Sequence, residues 1–274
     1  MNEGREAWIM NIIAVDIGNT NIKTALYLKD EEQFIKSVSG RSRAKLTDLF
    51  KSAWGKIPVA KSSTEGKRDG VIVVCSVKPA WTQLVREIVK DNLDERLYVI
   101  GQDLPLPVSL WVDEPEKVGV DRVVSAAAAY AVINNAVVIA DFGTAVTIDL
   151  VDDNGVFLGG VICPGLEISA RALKEYTAQL PKAKVIRPKA PYGKNTTEAI
   201  NCGLYYSAVA TLQEVIRRYA ESIGKWPHTV LTGSAAEIIK KDCDYIDSYV
   251  PDLVVKGIVL AYKKYIEEKM EQVI

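Results

Sequence analysis

Apolar positions along this chain fall into two periodicities. Short β-branched runs read as strands over 11–16, 22–28, 70–77, 97–101, 137–141, 145–151, 156–163 and 229–232. Between them, apolar residues recur at helical spacing. In KPAWTQLVREIVKDNL, Pro79 stands near a helix start, and Trp81, Leu84, Val85, Ile88 and Val89 share one face. Further helices are predicted over 44–54, from about Asp121 through an alanine-rich stretch, over 166–176, from AAEIIKK at 235, and over 252–272. Asn195 followed by Glu198 predicts the capping box of a long helix. Residues 103–118, with Pro105, Pro107 and Pro115, and the Pro- and Lys-rich 181–194 read as loops.

Strands thus alternate with helices, and the order begins twice with a hairpin. IIAVDIGNTNIKTALY carries Asp16 and Gly18 at its turn, and VVIADFGTAVTIDLV carries Asp141 and Gly143. The expectation is an α/β chain built by internal duplication, with one domain over 11–119, another over 120–274, and a cleft between them.

A hairpin turn needs glycine and asparagine but no aspartate at a strand end, where a buried carboxylate is costly unless partnered. Two such aspartates point to a cation or a metal-bound phosphate. Gly18 and Gly143 would let backbone N–H groups approach phosphate oxygens, Thr20 and Thr144 would add hydroxyl donors, and Lys23 stands close by. Neither G-x-x-x-x-G-K-[ST] nor G-x-G-x-x-G occurs, so a P-loop and a dinucleotide fingerprint are excluded.

In VGVDR (118–122), Asp121 opens a helix and suits N-terminal capping. It is equally placed to take the proton of an attacking hydroxyl, with Arg122 beside it for a carboxylate or phosphoryl group. GGVICPG (159–165) makes a tight strand-to-helix connection in which Gly160 would admit a ligand close to the backbone. Thr196 offers a hydroxyl at a helix start, and Gly233 in TGS would lie flat against an adenosine.

Composition narrows the chemistry. The 274 residues carry 34 Lys and Arg against 35 Asp and Glu, so nothing suggests a nucleic-acid footprint. The single histidine, His228, sits beside Pro227, which leaves a carboxylate as the best candidate for any general base. Cys75, Cys163, Cys202 and Cys243 form no zinc spacing; they read as buried thiols of a reducing, cytoplasmic compartment. The opening MNEGREAWIMN lacks the apolar core of a signal peptide and reads as a ragged extension; no segment has the length of a membrane span.

The ordered set DIGNTNIK (16–23), GVDR (119–122), DFGTAVT (141–147), GGVICPG (159–165), TAQLP (177–181) and GKNTTEAINCG (193–203) resembles the type III pantothenate kinases of the acetate/sugar kinase, Hsp70 and actin superfamily. The resemblance runs from about residue 11 to nearly the end of the chain. It implies a duplicated ribonuclease H-like fold with ATP in the interdomain cleft, and a homodimer. Asp16, Ile17, Gly18, Asn19, Thr20, Asn21, Ile22 and Lys23 would hold ATP phosphates, with Asp16 near Mg²⁺ and Thr144 also on ATP. Asp121 would be the base toward pantothenate. Gly119, Val120, Asp121 and Arg122 would bind that substrate together with Thr196, reached across the dimer. Asp141 would bind K⁺ or NH₄⁺. Three positions depart from the family pattern: Val120 replaces an alanine, Val112 a tyrosine, and Ser234 the second glycine of T-G-G. A kinase for another small hydroxylated substrate, or a non-catalytic accessory relative, are the alternatives.

Overall fold

The computed structural model describes residues 10–61, 63–64 and 66–271. The expected N-terminal extension falls almost wholly outside them. Two five-stranded sheets organise the chain. The first contains β1 (Ile12–Ile17), β2 (Asn21–Leu28), β3 (Glu31–Ser39), β4 (Val71–Ser76) and β5 (Leu97–Val99), in the order β3-β2-β1-β4-β5. The second contains β6 (Val137–Phe142), β7 (Ala145–Val151), β8 (Phe157–Pro164), β9 (His228–Thr232) and β10 (Ser248–Tyr249), in the order β10-β9-β6-β7-β8.

Read from the other edge, the second sheet repeats the first strand for strand. Each central strand pairs antiparallel with the next strand in the chain and parallel with the fourth. This shared order is that of the ribonuclease H-like fold, so the duplication holds in three dimensions.

By contacts the chain divides into two units. Unit 1 runs to Pro107 and adds Gly119–Val124 and the segment from Val254 onward; unit 2 is Val108–Val118 with Ser125–Leu253. In unit 1 the central strand β1 is buried on both faces, as a near-continuous apolar strand must be. Ile13, Val15 and Ile17 face α1 (Arg43–Lys56) and α2 (Pro79–Leu93), whose Leu46, Phe50, Val85, Ile88 and Val89 are fully buried. Each of these side chains contributes about 1.5–3 kcal/mol. Ile12 and Ala14 face the other way, onto Val124 and onto Val255, Ile258 and Val259 of α7 (Leu253–Glu271). Pro79 takes the first position of α2, and Asp94 ends it in the left-handed region at φ 51°.

Unit 2 repeats the three layers. Val138, Ala140 and Phe142 of β6 face α4 (Leu166–Glu175), α5 (Thr196–Ile223) and α6 (Ala236–Ile239). Val137 and Ile139 face the alanines of α3 (Val120–Ile133). The capping box at 195 forms in a shifted version. Asn195 Oδ1 accepts from Glu198 N at 2.9 Å, while Glu198 Oε2 accepts from Lys194 N, one residue before the cap, at 2.8 Å.

Candidate active site

The alternation of β1 decides where Asp16 points. Ile12 and Ala14 lie on the α7 side of the sheet, and Asp16 continues that parity at the strand end. Its antiparallel partner is Lys23 and its parallel partner is Cys75. The same face carries Val120 and Val124 from the first turn of α3. Asp121 is therefore delivered to the neighbourhood of Asp16.

The thiol of Cys75 registers this meeting. Burial pushes its pKa well above the usual thiol value, and the charges of Asp16 and of Asp121 both push it further. Cys75 thus stays a neutral thiol beside two carboxylates.

Asp121 is held by its own helix start. Its Oδ1 accepts from Arg122 N at 2.9 Å, a first-turn donor shared with Gly119 O at 3.0 Å. Gly119 makes room for this fold-back, since a Cβ there would stand 2.6 Å from Asp121 Oδ1. Burial raises the Asp121 pKa above the ordinary carboxylate range, against the opposing pull of the Arg122 amide and guanidinium. A more basic carboxylate suits proton abstraction near neutral pH.

The 18–21 turn is closed from within. The Gly18 amide closes the hairpin by donating to Asn21 O at 3.1 Å, so it is spent on the turn itself. The tip residues Asn19 and Thr20 are exposed, as is Asn21. Ile17 and Ile22 are wholly buried core residues. Gly18 has no positive φ, and a Cβ on it would meet only Asn21 O at 3.5 Å, an ordinary contact.

The second turn, in unit 2, is tighter by one residue. Ile17 pairs with Ile22 in the first hairpin, but Phe142 pairs with Val146 in the second. Here too the glycine amide closes the turn, Gly143 N donating to Ala145 O at 3.0 Å, and Thr144 stands exposed at the tip. The sheet partners of Asp141 are Thr147 and Thr232, where Asp16 has Lys23 and Cys75. Two glycines lock this turn from outside. A Cβ on Gly165 would lie 2.2 Å from Thr144 O; one on Gly233, at φ +99°, would lie 2.4 Å from Asp141 Oδ1 and 2.5 Å from Phe142 backbone atoms. Gly233 therefore packs on the Asp141 carboxylate.

Gly160 has a different role from the one its sequence suggests. A Cβ there would stand 2.1 Å from Asp149 Oδ1, so the space is taken by a carboxylate of this chain that is only 1% exposed. Periodicity alone had marked Asp149 as one more residue of β7. Val112, at the family's tyrosine position, packs with the α3 core cluster, and its Cγ1 is 3.7 Å from where a Gly159 Cβ would be.

Thr196 is exposed at the first position of α5. The loop before it is tied down by Ile186 N donating to buried Asn201 Oδ1 at 2.7 Å and by the Arg187–Asp242 ion pair. All four cysteines are free thiols, with Cys75, Cys202 and Cys243 buried. Among the described residues no helix is long and apolar enough to cross a membrane, and no three His, Cys, Asp or Glu side chains cluster as a metal site. One carboxylate nevertheless fits Mg²⁺, which keeps its waters and is shared with substrate phosphates.

A family model described as type III pantothenate kinase matches residues 12–218. A type III pantothenate kinase from Dehalococcoides mccartyi is 31% identical over 252 residues, covering 92% of this chain and 97% of that one. Another from Agathobacter rectalis is 32% identical, again over 92% and 97%. Among solved structures, a conserved putative Baf family transcriptional activator from Campylobacter jejuni aligns with TM-score 0.55 and 19% identity, over 96% of this chain and all of that one; it bears on the fold alone. With its duplicated fold and both aspartate turns in place, the chain belongs to the type III pantothenate kinase family.

Proposed function

We propose that this chain transfers the terminal phosphoryl group of ATP to the hydroxyl of pantothenate, giving ADP and 4′-phosphopantothenate, the first step toward coenzyme A. The juxtaposition in unit 1 carries this reading: Asp16 at the strand end that enters the hairpin turn, and a desolvated carboxylate, Asp121, both acting on the Cys75 thiol. Phosphoryl transfer asks mainly for positioning and charge neutralisation, which these groups supply without histidine.

Asp121 takes the proton of the pantothenate hydroxyl, and its raised pKa strengthens it as a base. Arg122 holds the pantothenate carboxylate, with Gly119 and Val120 lining the same turn. Residues 16–23 receive the ATP phosphates, and Asp16 would hold the Mg²⁺ ion that accompanies them, whose charge offsets that of the phosphates. In unit 2, Thr144 contacts ATP and Asp141 would hold K⁺ or NH₄⁺; the close packing of Gly233 keeps that carboxylate in one position.

The enzyme acts as a homodimer in the cytoplasm. Ile162, Tyr176, Tyr192 and Tyr206 are exposed apolar side chains of unit 2, at 64%, 86%, 66% and 41% exposure. A second copy covers these side chains and brings its Thr196 to pantothenate. Light scattering at micromolar concentration tests the dimer, and a monomer there contradicts it. ADP release that requires both pantothenate and Mg²⁺-ATP tests the activity; release indifferent to pantothenate rejects it.

A further inference from the structure

Lys78 has no part in the reading above, yet it touches the first phosphate turn. Its Nζ donates to Asn19 O at 3.1 Å and lies 3.4 Å from the centroid of the Trp81 ring. Among the described residues it pairs with no carboxylate. The ammonium has three donors, so one carbonyl and one π face leave it capacity for a further acceptor.

The platform beneath it is rigid. Trp81 lies across Gly40, where a Cβ would come within 2.3 Å of the ring. The segment carrying Lys78 is fixed by Val77 N donating to Ile17 O at 3.1 Å, Lys78 N donating to Ser76 Oγ at 3.1 Å, and Thr82 Oγ1 donating to Ser76 Oγ at 2.7 Å. The charge is thus held at the exposed tip of a turn whose glycine amide is already used.

We propose that Lys78 is a further phosphate-binding residue, its ammonium taking an oxygen of the ATP phosphate chain at the 18–21 turn while Trp81 and Asn19 hold it in place. This rests on the kinase reading of that turn. It also adds a charged donor to a turn whose Gly18 amide is already spent.

The test is calorimetric titration of the full chain with a non-hydrolysable ATP analogue and Mg²⁺ across a KCl series, for wild type, Lys78→Gln and Lys78→Arg. Glutamine keeps a donor for Asn19 O but removes the charge. The expected result is an affinity lowered about tenfold to a hundredfold in Lys78→Gln, a shallower salt dependence, near-complete recovery in Lys78→Arg, and an unchanged KM for pantothenate. Wild-type affinity in Lys78→Gln, or an equal loss in Lys78→Arg, would overturn the assignment while leaving the kinase reading intact. A wild-type protein that binds no analogue overturns both.

Discussion

Replacing Gly18 with alanine adds one methyl group at the base of the first turn. The chain itself has room for it. The new Cβ would meet nothing closer than Asn21 O at 3.5 Å, and the backbone there has no positive φ. Loss of unfolded-state freedom should then stabilise the protein by about 0.4–1 kcal/mol. For a chain of this size that is a rise of about 1–4 °C in Tm. A phosphate drawn to the turn meets the methyl instead, and a displacement of about 1 Å costs on the order of a hundredfold in turnover. The assay pairs a thermal melt without ligand with steady-state ADP release at saturating pantothenate. The expected outcome is an unchanged or raised Tm with kcat/KM for ATP down by about two orders of magnitude. Wild-type kcat/KM would refute the idea that a ligand, not the chain, demands glycine here. A lowered Tm would refute the steric reasoning itself.

Four other outcomes follow from the same geometry. Gly233→Ala should behave oppositely, losing about 2–6 kcal/mol from strain at φ +99° and the clash with Asp141 and Phe142, read as a Tm drop without ligand. Asp121→Asn should lower kcat by about 10²–10⁴-fold while ATP still binds by calorimetry. It should also raise Tm at neutral pH. The folded-state pKa of Asp121 lies above its unfolded value, so its contribution to stability is full at low pH and is lost as pH rises through the folded pKa. The advantage of asparagine in paired melts should accordingly grow with pH and vanish in acid. Activity in K⁺ or NH₄⁺ should exceed that in Na⁺, and equal rates would argue against a cation role for Asp141. Mixing inactive Asp121→Asn with Thr196→Val should restore about a quarter of wild-type activity if Thr196 acts on the partner's site, because half of random dimers carry one intact site; no recovery would place Thr196 in its own chain's site.

Much of this fold was legible in the chain. The central strands β1 and β6 are buried on both faces, and runs such as IIAVDI announce that directly. The repeat of Asp-x-Gly hairpins predicted a duplication that the matching strand orders bear out. What escaped was the periphery. EEQFIKSVS forms β3, an edge strand whose charged residues are mostly exposed, so no apolar alternation marked it. β10 is two residues long, and AAEIIKK yields a single α-helical turn.

The candidate site was legible as residue types, but less so as contacts. Local sequence cannot tell that the amides of Gly18 and Gly143 are consumed by their own turns, because that depends on hairpin register. Nor does it reveal that Gly160 is shaped by Asp149 on the neighbouring strand. Cys75 and Lys78 reach the Asp16 turn only because β4 pairs parallel with β1, and the intervening chain hides that neighbour. Such cross-strand facts become visible once the strands are laid in order.

The most direct measurement is ADP release by the purified protein with Mg²⁺-ATP and K⁺, with and without pantothenate. The account predicts release that depends on pantothenate and yields a phosphorylated product by mass spectrometry. Intact ATP binding with no pantothenate-dependent release would contradict it.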